Sequence, residues 1–218
     1  MANVGYYFNN KNSLSLKKLL FTFLKKSLQS LPLNLFHYYS LLILSLIMMY
    51  YISGGERSGK SSYAQQVAES LSNNPYYLAT SRIWDADFKK RVDRHISERD
   101  ERWTTIEEEK NISQVIPKNA TVVIDCVTLW LTNFYLDTNN DIEKSLHLAT
   151  QEIDKLLDTI AQKNATIIII SNEIGMGLHA DTKIGRKFTE LQGWTNQYIA
   201  KKADKAIFMV SGLPLILK

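Results

Sequence analysis

The sequence contains very little cysteine and no clustered metal ligands. Cys126 is the single cysteine among 218 residues, which excludes an intramolecular disulfide and a cysteine metal cluster. The four histidines are too scattered for a recognisable metal-ligand set: His37, His95, His147 and His179. One cysteine suits a reducing compartment, so we expect a cytoplasmic protein.

Acidic residues are absent from the first 48 positions. Five lysines stand there, so the remaining 170 residues carry 21 basic and 22 acidic side chains, although the whole chain has a formal charge of +4. This near-neutral remainder argues against nucleic acid as a partner. An apolar run of about 20 residues, the length that spans a membrane, is also lacking. The apolar stretch from Leu41 to Met49 is interrupted by Ser45, so a membrane partner is not expected.

Residues 1–48 differ in composition from the rest of the chain, being rich in Leu, Lys, Ser and Tyr. They have three competing interpretations: a membrane anchor, a signal peptide, or upstream DNA translated from a misassigned start. Lysines precede an apolar run, as in a signal peptide, but no small-residue cleavage site comes before the strand that follows. We expect a non-domain extension over residues 1–48, with Met48 or Met49 as the native start, and one folded domain over residues 49–218.

Strand and helix patterns alternate along residues 49–218. Apolar or β-branched runs predict strands at "MMYYIS", "PYYLAT", "ATVVIDC", "ATIIIIS", "KAIFMVSG" and "LPLILK". Helical patterns cover residues 60–71, 141–163 and 182–203, and "DADFKKRVDRHISERDER" predicts a charged helix or helix and loop. The alternation predicts an α/β fold of the P-loop nucleoside triphosphate hydrolase type. Its sheet is mostly parallel with helices on both faces, and ligand sites lie at the carboxyl ends of the strands.

The segment "GGERSGKS", residues 54–61, follows the first predicted strand and opens a helix. Gly54, Gly55 and Gly59 let backbone N–H groups converge on phosphate oxygens without side-chain obstruction. Lys60 supplies positive charge to the terminal phosphates, and the hydroxyl of Ser61 can bind Mg²⁺. A chance match in a glycine turn is the alternative. The order of strand, loop and helix favours a nucleoside triphosphate site.

Polar side chains end two of the predicted strands. Asp125 closes a hydrophobic strand, where a P-loop protein places a second Mg²⁺-binding acid, although a helix N-cap aspartate is the alternative. We therefore expect Ser61 and Asp125 to hold Mg²⁺. Asn172 and Glu173 follow the next central strand on the same sheet edge, where a capping role and a catalytic role are both open.

His95 stands in a strongly charged segment, among Arg91, Arg94, Glu98, Arg99 and Arg102. A solvated charged face is one explanation of this pattern. In the other, the arginines collect phosphate charge around an imidazole that acts as acid, base or phosphoryl-accepting nucleophile. The residues alone leave both explanations open.

The order of the motifs is more specific than any one of them. "GGERSGKS", "YYLATSRIWD", "RVDRHISERDERWTTIEE", "VVIDCVTLWLTN" and "SNEIGMG" follow one another. Over residues 49–218 the chain resembles the bifunctional adenosylcobinamide kinase / adenosylcobinamide-phosphate guanylyltransferase family of cobalamin biosynthesis. The resemblance implies phosphorylation of adenosylcobinamide by ATP or GTP. It also implies transfer of GMP from GTP through a covalent GMP-histidine, giving adenosylcobinamide-GDP and pyrophosphate.

The same resemblance implies site residues and an assembly. It places the GMP-histidine nucleophile at His95. It implies nucleotide contacts at Gly54, Gly55, Glu56, Arg57, Ser58, Gly59, Lys60, Ser61, Ala79, Thr80, Ser81, Ile96, Ser97, Glu98, Arg99, Glu107 and Asp125. The implied partners are adenosylcobinamide and the triphosphate, and the implied assembly is a homotrimer with active sites between subunits.

Two other functions are compatible with a P-loop. A single-activity small-molecule kinase would leave His95 as a surface residue. A regulatory GTP-binding switch would bind a partner protein, but it should carry a guanine-reading Asn/Thr-Lys-x-Asp motif after a strand. No such motif stands in that position, which makes the switch the weaker alternative.

Overall fold

The computed structural model of the protein describes residues 49–82 and 99–218. Within them, the strands are β1 (Met49–Gly54), β2 (Tyr76–Ala79), β3 (Thr104–Glu107), β4 (Thr121–Asp125), β5 (Thr166–Asn172), β6 (Lys205–Val210) and β7 (Leu213–Ile216). The α-helices are α1 (Lys60–Leu71), α2 (Val127–Asp137), α3 (Ile142–Lys163) and α4 (Lys183–Lys202), and a short 3₁₀ helix covers Ile174–Met176.

The seven strands form one sheet in the order β3-β2-β4-β5-β1-β6-β7. Every neighbouring pair is parallel except β6 and β7, which form an antiparallel hairpin. The carboxyl ends of the parallel strands therefore meet at one edge of the sheet. At that edge β5 separates β1, which leads into the P-loop, from β4, which ends at Asp125.

The sheet is covered on both faces, and its central strands are correspondingly apolar. All six residues of β1 are buried, as are the four consecutive isoleucines of β5, residues 167–170. On one face Tyr51, Ile124 and Ile169 lie in register and belong to a core shared with α2, α3 and α4. On the other face α1 packs against β1, β4 and β5. These observations confirm the predicted α/β architecture.

The two long helices begin and end where the sequence signals predict. Asp141 caps the N-terminus of α3 by accepting a hydrogen bond from the backbone N–H of Lys144. Asn164 ends that helix in the left-handed conformation at φ 51°. Thr182 caps α4 in the same way through the N–H of Gly185. No helix in the described residues is both long enough and apolar enough to cross a membrane.

The packed face of α1 differs from the predicted one. The four-residue spacing of Tyr63, Val67 and Leu71 predicts the buried face, but these side chains are only half-buried. The buried stripe is instead Lys60, Ala64 and Ala68. Small alanine side chains let the helix approach the sheet closely, and the same stripe brings Lys60 to the sheet edge.

Two elements have no counterpart in the sequence prediction. β3 is a four-residue strand at the edge of the sheet with mainly exposed side chains, so it has no apolar signature. α2 is apolar on nearly every side because it is packed among other elements, which hides the helical period. The predicted charged helix or helix and loop lies largely outside the described residues.

Candidate nucleotide-binding site

The P-loop joins β1 to α1 at the carboxyl edge of the sheet. Lys60 is the first residue of α1 and is buried, with 7% of its surface exposed. Its Nζ donates a hydrogen bond to the carbonyl oxygen of Gly55 at 2.6 Å, so the side chain folds back across the loop that precedes it. The ammonium group is held within the loop, where the phosphates of a nucleotide would bind.

Glycine is required at two points of the loop. A Cβ at Gly54 would lie 2.6 Å from the carbonyl oxygen of Met209 and 2.6 Å from Oγ of Ser58. Gly59 has φ 94°, and a Cβ there would lie 3.1 Å from Cα of Gly212. The loop is therefore packed too tightly against itself and against the β6–β7 hairpin for side chains at these positions.

The turn of the β6–β7 hairpin packs against the P-loop and is hydrogen-bonded to it. Ser211 and Gly212 have φ 51° and 82°, the left-handed pair that a two-residue hairpin turn needs. The N–H of Gly212 donates to the carbonyl oxygen of Ser58 at 3.0 Å. A backbone contact thus joins the C-terminal hairpin to the middle of the loop.

Asp125 accepts two hydrogen bonds beside the P-loop. Oγ of Ser61 donates to its Oδ2 at 3.1 Å, and the hydroxyl of Tyr77 donates to the same oxygen at 2.9 Å. The predicted Mg²⁺ residues Ser61 and Asp125 are therefore adjacent. A hydroxyl and a carboxylate are hard oxygen ligands that suit Mg²⁺, which keeps waters and phosphate oxygens in its remaining positions. No group of three or more His, Cys, Asp or Glu in residues 49–82 and 99–218 could hold a metal, so a protein-only cage is not present there.

Arg99 stacks on the tyrosine that holds Asp125. Its guanidinium carbon lies 3.6 Å from the centre of the Tyr77 ring. Burial raises the pKa of Tyr77 well above 10.0, and both the negative charge of Asp125 and the hydrogen bond to Asp125 raise it further. The positive charge of Arg99 lowers this pKa in part. Nη1 of Arg99 is buried and has no hydrogen-bond partner among residues 49–82 and 99–218. It is a donor available to an anion at this edge of the sheet.

The segment from Ala79 to Ser81 is anchored beside Asp125. Ala79 is in register with Asp125, and the buried hydroxyl of Thr80 donates to the carbonyl oxygen of Cys126 at 2.8 Å and accepts from its N–H at 3.0 Å. The side-chain amide of Asn133 donates to the carbonyl oxygen of Thr80 at 2.7 Å. Burial, and then the charge of Asp125, raises the pKa of the Cys126 thiol to about 12. The chain is rigidly held where β2 and β4 end.

The described site residues fall into an inner and an outer group. The P-loop, Asp125, Thr80 and Arg99 surround the carboxyl ends of β1, β2 and β4. Glu107 ends β3, in register with Ala79 but exposed and one strand further from the P-loop. Four predicted site residues lie outside the described residues: His95, Ile96, Ser97 and Glu98.

Comparison with known proteins decides the family. The family model described as cobinamide kinase / cobinamide phosphate guanyltransferase matches residues 50–217. The chain belongs to this family. The bifunctional adenosylcobalamin biosynthesis protein CobP of Pseudomonas aeruginosa is 32% identical over 172 residues, covering 77% of this chain and 95% of that protein. CobU of Escherichia coli, described in the same words, is 30% identical over 185 residues, covering 78% of this chain and 100% of that protein.

Among solved structures, an ATPase of the type III secretion system of pathogenic bacteria superposes with a TM-score of 0.49 at 13% identity. The match covers 80% of this chain and 60% of that one. Membership of the cobinamide kinase / cobinamide phosphate guanyltransferase family confirms the resemblance seen in the sequence motifs. The family joins a kinase and a nucleotidyltransferase, two reactions that both use a nucleoside triphosphate. The P-loop is the element of this chain suited to bind one.

Proposed function

We propose that this protein phosphorylates adenosylcobinamide with ATP or GTP and then transfers GMP from GTP to the phosphorylated product, giving adenosylcobinamide-GDP. The observation that carries the proposal is the contact of Ser61 with Asp125 beside the P-loop, in a chain of the cobinamide kinase / cobinamide phosphate guanyltransferase family. Both reactions need the phosphates of a triphosphate to be held and their charge offset. This sheet edge supplies the groups that do so.

The described residues have separate roles in binding the triphosphate. The P-loop N–H groups and Lys60 hold the terminal phosphates, and Ser61 and Asp125 hold Mg²⁺. When bound, the metal offsets phosphate charge and orients the phosphates for attack. Arg99 offers Nη1, which has no hydrogen-bond partner within the described part of the chain, to a phosphate oxygen. The segment from Ala79 to Ser81 and Glu107 complete the nucleotide site on the β2 and β3 side.

His95 forms the covalent intermediate of the second reaction. A neutral imidazole is a competent nucleophile near neutral pH, because its reference pKa is about 6.5. Its nitrogen attacks the α-phosphorus of GTP, an N–P bond forms, and the bond to the bridging oxygen breaks to release pyrophosphate. A phosphate oxygen of the acceptor then attacks the same phosphorus, and the N–P bond breaks. Ile96, Ser97 and Glu98 contact the nucleotide in the same segment. This assignment rests on the sequence motif.

Incubation with GTP labelled in the α-phosphate tests the histidine. We expect covalent label that is labile in acid and stable in base, and that disappears in the His95→Ala variant. His147→Ala is the matched control, because His147 is exposed on α3 and should leave the labelling unchanged. Absence of label on the wild-type protein, with phosphorylated product still formed from adenosylcobinamide, would support the single-activity kinase instead.

We further propose a cytoplasmic homotrimer with active sites between subunits and no nucleic-acid partner. Exposed apolar side chains on the β6–β7 hairpin favour association of copies of this chain: Val210, Leu213, Leu215, Ile216 and Leu217. Light scattering on the purified protein tests the assembly. A mass of one chain, 25.0 kDa, would contradict the trimer.

A further inference from the structure

Glu173 stands at the carboxyl edge of the sheet, between the P-loop and Asp125 in the order of the strands. It follows β5, the strand that lies between the P-loop strand β1 and the Asp125 strand β4. The N–H of Glu173 donates to the carbonyl oxygen of Gly54 at 3.0 Å, which ties the residue to the start of the P-loop. Glu173 is therefore adjacent to the start of the P-loop, and it is half-buried.

A buried amide fixes the orientation of this carboxylate. Nδ2 of Asn196, on α4, donates to Oε2 of Glu173 at 3.2 Å and to the carbonyl oxygen of Asn172 at 3.1 Å. Oδ1 of Asn196 accepts from Ser171 at 2.6 Å and from Gln192 at 3.0 Å. Both ends of the amide are saturated, so its orientation is determined and a flipped amide would lose these contacts.

The second carboxylate oxygen of Glu173 remains available. Oε1 makes no hydrogen bond or ion pair with any residue in 49–82 or 99–218. Asn196 is neutral, so it holds the carboxylate without placing a positive charge beside it. Asp125 differs, because one of its oxygens already accepts hydrogen bonds from both Ser61 and Tyr77. Glu173 is therefore suited to accept a proton, whereas Asp125 is suited to bind a metal ion.

We propose that Glu173 is the catalytic base of the kinase step and that Asn196 is its positioning residue. The inference rests on the proposed function. The acceptor hydroxyl attacks the γ-phosphorus of the triphosphate, and a new O–P bond forms. The bond from the γ-phosphorus to the bridging oxygen breaks, and the nucleoside diphosphate leaves. The proton of the attacking hydroxyl passes to Oε1 of Glu173 and is later released to water.

The guanylyl transfer does not need this base. Its nucleophiles are an imidazole nitrogen and the phosphate of the phosphorylated acceptor. A phosphate monoester with a second pKa of about 6 has already lost its protons at pH 7 and attacks without a base. A hydroxyl has a far higher pKa and gains most from proton removal as the bond forms. Loss of Glu173 should therefore separate the two activities of one protein.

Glu173→Gln tests the proposal because the amide oxygen still accepts from Asn196 while the basic oxygen is lost. We expect kcat for phosphorylation of adenosylcobinamide to fall by about 100-fold or more, with little change in KM for the acceptor. Guanylyl transfer to presynthesised adenosylcobinamide phosphate should stay within about twofold of wild type. Glu190→Gln is the matched control, since Glu190 is exposed on α4 and should change neither reaction.

A double-mutant cycle tests Asn196. Asn196→Ala should lower the kinase kcat by about tenfold and leave guanylyl transfer unchanged, and it should add nothing in the Glu173→Gln background. Additive losses, or equal losses in both reactions, would show that Asn196 only stabilises the loop after β5.

Four results would overturn or replace the proposal. A kinase kcat within about threefold of wild type in Glu173→Gln would exclude the base, and parallel loss of both reactions would assign Glu173 to binding or folding. If Glu173→Gln does not fold, Glu173→Asp and Glu173→Asn take its place, since they differ only in carboxylate against amide. The Asp variant should then be at least about tenfold faster as a kinase, and equal rates would exclude the base. If the wild-type protein shows neither reaction, the proposed function fails independently of Glu173.

Discussion

The hydroxyl of Tyr77 lies 2.9 Å from Oδ2 of Asp125, the same oxygen that accepts from Ser61. Tyr77 is on β2 and Asp125 is on β4, so the contact bridges neighbouring strands at the carboxyl edge of the sheet. The carboxylate is thus held in place before any metal or nucleotide arrives. Such preorganisation lowers the cost of ordering the site on binding.

Tyr77→Phe should lower the apparent affinity for Mg²⁺. The change removes one hydrogen bond to a charged group, worth about 1.5–3 kcal/mol, so we expect the Mg²⁺ concentration for half-maximal kinase activity to rise by about 10- to 100-fold. Activity at saturating Mg²⁺ should largely recover. Tyr76→Phe is the control, because the neighbouring Tyr76 is in register with Val122, three residues before Asp125. An unchanged Mg²⁺ titration would show that Tyr77 does not position the carboxylate.

Lys60→Ala should damage both reactions. The buried ammonium is the positive charge held within the P-loop, and its loss removes a contact to the terminal phosphates in either step. We expect a fall in kcat/KM of at least about 100-fold for the kinase and for the transferase, measured separately with their own acceptors. Lys118→Ala, at an exposed position, serves for comparison. Intact rates in either half-reaction would mean that the triphosphate of that reaction binds elsewhere.

The buried thiol of Cys126 should make the protein less stable at alkaline pH. Its pKa is raised from 9.0 to about 12 in the fold, so between these values the unfolded chain loses a proton that the native protein keeps. The free energy of unfolding should therefore fall as pH rises above 9, by about 1.4 kcal/mol per pH unit from this group. Urea unfolding at pH 8, 9 and 10 measures the slope. Cys126→Ala should remove the contribution of the thiol to this slope. An identical slope in the variant would show that Cys126 does not cause the loss of stability.

The ion pairs around Asp137 should stabilise the protein only above acidic pH. Two nitrogens of Arg82 lie 2.8 and 2.9 Å from the carboxylate of Asp137, and Nζ of Lys110 lies 2.7 Å from it. The hydrogen bonds from Arg82, and then the one from Lys110, lower the pKa of Asp137. A lowered carboxyl pKa gives stability that is present above about pH 4 and is lost as pH falls further.

Asp137→Asn should cost at most about 1 kcal/mol at pH 7, because these groups are partly exposed to solvent. The difference in free energy of unfolding between this variant and the wild type should shrink at pH 3 and in high salt, as measured by urea unfolding. Asp158→Asn changes the same functional group at an exposed position on α3 that forms no ion pair with the described residues, and it should cost almost nothing. A pH-independent cost in Asp137→Asn would point to packing instead of charge.

The main elements of the fold follow from local signals in the sequence. β1, the P-loop and α1 are marked by an apolar run, a glycine-rich loop and a helical pattern in that order. α3 has both a regular apolar spacing and a capping aspartate. β3 and α2 lack such signals, because one is short and exposed and the other is apolar all round. Their placement depends on neighbours that are distant in sequence.

Some residues of the candidate site are also predictable from local sequence patterns, and others are not. Gly54, Lys60, Ser61 and Asp125 are predictable because they belong to local patterns, a glycine loop between a strand and a helix and an acid that ends a hydrophobic strand. Tyr77 and Asn196 are not, since a phenol in a strand and an amide in a helix are ordinary residues until the fold places them against a carboxylate. Their importance arises from pairs separated by 48 and 23 residues along the chain.

The contact between Gly212 and Ser58 has a practical consequence for handling the protein. The hairpin that makes it ends at the C-terminus, where Lys218 is bonded to the backbone of Ala206 and Ala203. Affinity tags, fusions or truncations at this end act on a segment that holds the P-loop in shape. A tag moved from one terminus to the other can therefore alter nucleotide affinity without any change in the site itself.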